Sequence, residues 1–176
     1  MQSMSTIEAV ILLGSNLGDR QAIIQNALKR IEEQCGNILQ LSSLYESEPW
    51  GFVSSEHFLN QVALISTQLK ANDLLDKLLE IEKVSGRNRT SESDYVSRIL
   101  DLDILYYGNL VIETDTLSIP HPRLHMRRFT LMPLCEIMPD FVHPGLKMSQ
   151  RDLLDATQDH TSVSVFYESS TARKNV

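Results

Sequence analysis

The ten residues from Phe58 to Thr67 constrain the fold more than any other stretch. They read Phe-Leu-Asn-Gln-Val-Ala-Leu-Ile-Ser-Thr, with apolar residues at both odd and even positions. A strand sends successive side chains to opposite faces, so this one needs cover on both sides and belongs in the middle of a sheet. The neighbouring segments supply that cover. Glu8 to Leu13 is a short apolar strand. The helix after it is capped by Asp19 and ended by Gly36, and its stripe is Ile23, Ala27 and Ile31, with Ile24 and Leu28 beside it. Ile38 to Tyr45 reads as a strand, and Glu46 to Glu56 as a loop broken by Pro49 and Gly51. Asn72 to Val84 is a second helix, striped by Leu74, Leu78 and Ile81, with Leu75 and Leu79 beside them; Gly86 ends it.

The remainder is less regular. Arg87 to Ser97 is polar and non-periodic, hence a loop. Ile99 to Tyr107 is a strong strand, and Gly108-Asn109 is expected to turn it into a hairpin with Leu110 to Ile112. Ile119 to Arg128 carries Pro120 and Pro122 and should be irregular. A helix is expected over Thr130 to Met138, with Pro133 near its first turn. Ser149 to Asp152 has the spacing of a capping box that starts a short helix, and the tail after Glu168 is expected to be disordered. The order is β-α-β-β-α-β followed by a hairpin and helices. This predicts an α+β fold with a ferredoxin-like split βαβ sheet, mainly antiparallel, in a single domain spanning residues 1–176.

Charge narrows the partners. The formal net charge is −7, which argues against a general nucleic-acid binder. No apolar run nears the roughly 20 residues needed to span a bilayer, and residues 1–7 lack a secretory pattern. Cys35 and Cys135 lie far apart without metal-type spacing. A cytoplasmic monomer with reduced thiols and no obligate protein partner is the expectation. Against this acidic background, six of the ten arginines fall between 87 and 128: Arg87, Arg89, Arg98, Arg123, Arg127 and Arg128. No lysine occurs from 84 to 146. Arginine offers a planar fork that grips phosphate oxygens in pairs. The blander account pairs these arginines with surface carboxylates such as Glu92 and Asp94.

Within the strand Ile99–Tyr107, Leu100, Leu102 and Ile104 share one face, and Asp101 and Asp103 share the other. Two carboxylates so placed lie within roughly 7 Å of each other. Asp is depleted in strands, and two unpaired carboxylates would repel. A divalent cation shared with phosphate oxygens resolves that conflict; an exposed edge or ion pairs with arginines would also do so. Glu82 continues the apolar side of its helix, where a carboxylate holds an arginine or a polar ligand group, or is simply solvated. Gly14-Ser15-Asn16-Leu17-Gly18 follows a strand and opens a helix, but lacks both the Gly-Lys-Ser/Thr ending of a P-loop and dinucleotide spacing, so a structural turn is the better reading. His121 and His125 have HxxxH spacing. The flanking prolines oppose a helical zinc pair and favour His121 as a phosphate donor. Phe58 and Asn60 share a strand face, and an aromatic beside an amide suits a flat heterocycle, although aromatics are core by default.

Together these segments resemble the 6-hydroxymethyl-7,8-dihydropterin pyrophosphokinases of folate biosynthesis, from about Ala9 to about Leu154. The matching stretches are Leu13–Gly18, Phe58-Leu59-Asn60, Gly86-Arg87-Asn88-Arg89, Arg98–Leu105, Ile119-Pro120-His121-Pro122 and Arg127-Arg128-Phe129. The resemblance implies transfer of diphosphate from ATP to the pterin hydroxymethyl group, with release of AMP. It implies that Asp101 and Asp103 hold two Mg²⁺ ions, and that Arg87 and Arg98 are catalytic. Glu82, Arg89, Ile104, His121 and Arg127 would be ATP contacts. Ser47, Pro49, Trp50, Phe58, Asn60 and Phe129 would be pterin contacts. Many members carry Arg-Trp-Gly-Pro-Arg before the Asp pair. Here Ser93-Asp94-Tyr95-Val96-Ser97-Arg98 stands there, which makes Tyr95 the candidate lid aromatic. A catalytically idle pterin or nucleotide binder is the alternative from a different class.

Overall fold

In the computed structural model, residues 5–51, 55–86 and 99–167 are described. Five of the eight strands carry the main sheet in the order β5-β1-β4-β3-β8, with β2 also paired to β4. Their bounds are β1 Ile7–Ser15, β2 Asn37–Leu41, β3 Tyr45–Ser47, β4 Phe58–Thr67, β5 Asp101–Tyr107 and β8 Val163–Val165. Each pairing in this sheet is antiparallel. The β4 strand lies between β1 and the β2/β3 edge, the central place its two-faced apolar sequence demanded. Helices α1 (Arg20–Gln34) and α2 (Ala71–Val84) complete the split βαβ arrangement.

Two apolar layers sandwich the sheet. Ala9, Ile11 and Leu13 of β1 pack with Leu59, Ala63 and Ile65 of β4 under Ile24, Ala27 and Ile31 of α1 and Leu74, Leu78 and Ile81 of α2. The opposite face of β1 and β4, with Val10, Leu12 and Val62, packs on Leu131 and Leu134 of α3 (Arg128–Ile137) and Leu153 of α4 (Gln150–Ala156). α1 starts where Asp19 accepts the Ala22 N–H at 3.0 Å. The expected capping box opens α4: the Ser149 and Asp152 side chains each take the other's backbone N–H.

Four expectations are corrected. The strand predicted over 38–45 is two strands. At the break the Ser42 hydroxyl accepts the Val62 N–H while Ser42 donates its own N–H to the Val62 carbonyl, so one residue occupies both partners of Val62. Gly108-Asn109 does not form a hairpin with β5. Gly108 instead donates to Glu8 at the end of β1, and β6 (Ile112–Glu113) pairs with β7 (Ser118–Ile119) across a turn closed by Thr114 and Leu117. α3 begins two residues earlier than predicted, which leaves Pro133 inside the helix, where it cannot donate to the Phe129 carbonyl. Last, the short edge strand β8 follows α4 and pairs with β3, where no strand was expected. The 87–97 loop and the tail after Glu168 lie outside the described residues. No described helix is long and apolar enough to cross a membrane.

Candidate active site

The site grows from the register of three strands. Gly14 near the end of β1 stands opposite Asp101 on β5 and opposite Asn60 on β4. Leu12 stands between Asp103 and Val62 in the same way. Directly opposed residues point to one face, and Leu12 and Val62 belong to the α3 layer. Asp101, Asp103, Gly14 and Asn60 therefore share that face. Two strand spacings put Asp101 and Asn60 about 10 Å apart. The register of β1 against β5 shifts between Val10 and Ile11, a bulge that gives Leu105 and Tyr106 to the same layer.

One end of this row is an aromatic and amide wall. Ser47 on β3 opposes Phe58 on β4. The buried Asn60 amide donates from Nδ2 to Ser47 Oγ at 2.9 Å, which leaves Oδ1 towards Gly14. Gly14 is buried, and its lack of a side chain lets Asn60 and Phe58 close in over β1; a Cβ there would come within 3.3 Å of Asn60 Oδ1 and 3.9 Å of the Phe58 ring. Pro49 and Trp50, both half-buried, continue from β3. The Arg127 guanidinium carbon lies 4.8 Å from the centre of the Trp50 ring and 5.6 Å from that of Phe129. Arg127 thus joins the aromatic wall, although the sequence placed it with the nucleotide. Its charge is also felt by His121. Phe129 and Arg127 are fixed by the start of α3, whose first N–H, from Arg128, goes to Asp159 Oδ2 at 2.7 Å.

The other end carries the carboxylates. His121 Nε2 stands 4.0 Å from Asp103 Oδ2. Burial, helped by Arg127 and Arg123, pulls the imidazole down to about 4, so it is neutral near pH 7. Its Nδ1 accepts the Arg123 N–H at 3.2 Å, which assigns the proton to Nε2 and makes His121 a donor on the Asp103 side. His125 instead stands edge-on to His143, and no cluster of three or more His, Cys, Asp or Glu side chains suited to a metal occurs among the described residues. Asp101 and Asp103, both half-buried, form an oxygen-only donor set, with Asp101 directly opposite Gly14. That set fits Mg²⁺, which keeps water and phosphate oxygens in its remaining positions.

Two expected nucleotide contacts have other work. The Ile104 side chain is buried in the α1–α2 core, so only its backbone is open to a ligand. Glu82 is 2% exposed, and its Oε1 accepts the backbone N–H of Leu102 at 2.8 Å. Arg87, Arg89, Tyr95 and Arg98 lie outside the described residues. Sequence reasoning missed Arg20, whose Nη1 donates to Glu46 Oε1 at 2.9 Å and to the His57 carbonyl at 2.7 Å. This arginine ties β3 to the chain entering β4 and so fixes the amide wall. It also missed the place of Gly14 between Asn60 and Asp101. The glycine was visible, but its two opposite partners were not.

Comparison with known proteins agrees with this geometry. Residues 10–139 match the profile of the family described as 7,8-dihydro-6-hydroxymethylpterin-pyrophosphokinase (HPPK). A protein of Porphyromonas gingivalis named 2-amino-4-hydroxy-6-hydroxymethyldihydropteridine pyrophosphokinase is 40% identical over 134 residues, covering 75% of this chain and 90% of its own. One of the same name from Haemophilus influenzae is 38% identical over 160 residues, covering 90% and 98%. The folic acid synthesis protein FOL1 of Dictyostelium discoideum is 42% identical over 139 residues, which is 79% of this chain but 21% of that longer protein. In three dimensions, the HPPK-DHPS of Plasmodium falciparum superposes with a TM-score of 0.73 at 18% identity, over 88% of this chain and 44% of that one, and so shares the ferredoxin-like fold. The chain belongs to the 7,8-dihydro-6-hydroxymethylpterin-pyrophosphokinase family.

Proposed function

We propose that this protein transfers the terminal diphosphate of ATP to the hydroxymethyl group of 6-hydroxymethyl-7,8-dihydropterin, releasing AMP, as a cytoplasmic single-domain monomer in folate biosynthesis. The observation that carries the reading is the row Asp101–Gly14–Asn60. It sets a hydrogen-bonding amide and a metal-type carboxylate pair about 10 Å apart on one face of the sheet, with Gly14 between them. A pterin laid over Gly14 would present its ring edge to Asn60 and its hydroxymethyl arm to the carboxylates.

In this arrangement Asn60, held by Ser47, reads the heterocycle edge. Phe58 and Phe129 cover its faces, and Pro49 and Trp50 close the side. Asp101 and Asp103 would hold two Mg²⁺ ions, which when bound would neutralise phosphate charge and lower the pKa of the attacking hydroxyl. The hydroxymethyl oxygen bonds to the β-phosphorus and gives up its proton to solvent, the bond from that phosphorus to the α–β bridging oxygen breaks, and AMP leaves with the electron pair. Arg87, Arg98 and Arg89 would offset negative charge on the phosphates. Neutral His121 donates from Nε2 without adding a proton equilibrium near pH 7. Arg127 links the two halves, touching the aromatic wall while lowering the pKa of His121. Tyr95 would serve in the closing lid. The test is AMP release with ATP, hydroxymethyldihydropterin and Mg²⁺ together; absence of AMP under those conditions refutes the reading.

A further inference from the structure

Glu82 is a carboxylate where a hydrocarbon would be expected. It is one of five buried residues of α2, next to Leu74, Leu78 and Ile81 on the side that packs on the sheet. Burying a carboxylate there is unfavourable unless it is bonded. The bond it makes is specific: Oε1 takes the Leu102 N–H at 2.8 Å. Leu102 sits between Asp101 and Asp103 on β5, and among the described residues β5 is the terminal strand of the sheet. On its outer edge an N–H has no neighbouring strand to receive it. Glu82 takes the place of that strand at one residue.

The consequence concerns the carboxylates themselves. The bonded N–H belongs to the peptide joining Asp101 to Leu102. Holding that peptide plane restricts ψ of Asp101 and φ of Leu102, two of the four backbone torsions that set the angle between the Asp101 and Asp103 side chains. A strand edge paired on one side only would otherwise twist freely at this point. We infer that Glu82 is a positioning residue for the reaction: its carboxylate grips the Leu102 amide from α2 and holds Asp101 and Asp103 at the spacing a divalent cation requires. The inference rests on the metal role proposed for the Asp pair. It differs from the nucleotide contact expected of Glu82, because the bond is made to the protein's own backbone.

The test uses two variants of equal length. Glu82→Gln keeps a carbonyl acceptor for the Leu102 N–H and removes the charge. Glu82→Met fills the same buried volume and removes the acceptor. Hydrogen exchange of the Leu102 amide is measured by NMR in protein free of nucleotide and metal, and the Mg²⁺ concentration giving half-maximal AMP release is measured in parallel. For Glu82→Met, Leu102 exchange is expected to rise about tenfold or more, while amides of β1 and β4 keep their protection. The half-saturating Mg²⁺ concentration is expected to rise about 10- to 100-fold, the range typical for groups that orient metal ligands. Glu82→Gln should keep Leu102 protected and stay within about threefold of the wild-type Mg²⁺ dependence, since the bond and not the charge does the positioning. Unchanged Leu102 exchange in Glu82→Met, unchanged Mg²⁺ dependence, or equal losses in both variants would overturn the inference. Wild-type protein that makes no AMP refutes the proposed function instead, while the exchange comparison still reads the grip on Leu102.

Discussion

Replacing Gly14 by alanine tests the position of the Asn60 amide separately from the rest of the site. The glycine is not there for its backbone: it lies in β1 and is not one of the residues at positive φ. A strand alanine is, if anything, about 0.5–1 kcal/mol more stable than glycine. The added Cβ would sit 3.3 Å from Asn60 Oδ1 and 3.9 Å from Phe58 Cδ1. The first contact is tight by a few tenths of an ångström, and the Asn60 amide is tied on its other side to Ser47 at 2.9 Å. The amide must therefore turn or shift, which weakens one or two hydrogen bonds to the heterocycle. At about 0.5–1.5 kcal/mol each, the loss is about 1.5 kcal/mol, or about a tenfold rise in the KM for the pterin. The KM for ATP should stay within about twofold, because the nucleotide does not share that contact. Steady-state AMP release, with each substrate varied in turn, reads both constants, and a melting curve verifies the fold. An unchanged pterin KM, or equal rises for both substrates, would refute this account of Gly14 and Asn60.

Other perturbations follow from single bonds. Ser47→Ala leaves the buried Asn60 Nδ2 without its acceptor and should cost about 1–3 kcal/mol in a denaturant titration as well as raising the pterin KM. No change in either measurement would show that the Ser47 bond is not what orients the amide. Asp159→Ala removes the group that receives the first N–H of α3 and should destabilise the protein by about 1 kcal/mol, a fall of about 2–4 °C in Tm. An unaltered Tm would count against that role. Burial pushes the thiols of Cys35 and Cys135 up to about 11, so each remains protonated through neutral pH. At pH 8 only about a thousandth of each is thiolate, and alkylation should be far slower than for a free thiol, quickening as pH rises towards 11. Rapid labelling of either cysteine at pH 8 would contradict this.

Local signals were legible in the sequence and long-range ones were not. The bounds of β4, the Asp19 cap, the capping box at Ser149 and the leucine stripe of α2 all depend on side chains within a few residues of one another. Asp101 and Asp103 were legible as a pair for the same reason: strand alternation alone makes them neighbours. The failures share a cause. Gly108-Asn109 has a hairpin's turn residues, but Gly108 is claimed by Glu8, about a hundred residues earlier in the chain. The bond from the Leu102 N–H to Glu82 was not legible either, because a backbone partner is announced by no side-chain pattern. Ile104 illustrates the same limit, since its core-facing side chain follows from alternation while any ligand contact must come from its backbone. The family resemblance supplied the residues of the amide wall. The β1 register then placed Asn60 and Asp101 on one face, with Gly14 between them.

The central claim is that Asp101 and Asp103 support diphosphate transfer to a pterin. The most direct measurement is Mg²⁺-dependent AMP release by wild-type, Asp101→Asn and Asp103→Asn proteins, with melting curves for all three. The account predicts AMP only when ATP and hydroxymethyldihydropterin are both present, and a loss on the order of a thousandfold in each variant with the fold retained. No AMP from the wild type, or near-wild-type rates in both variants, would contradict it.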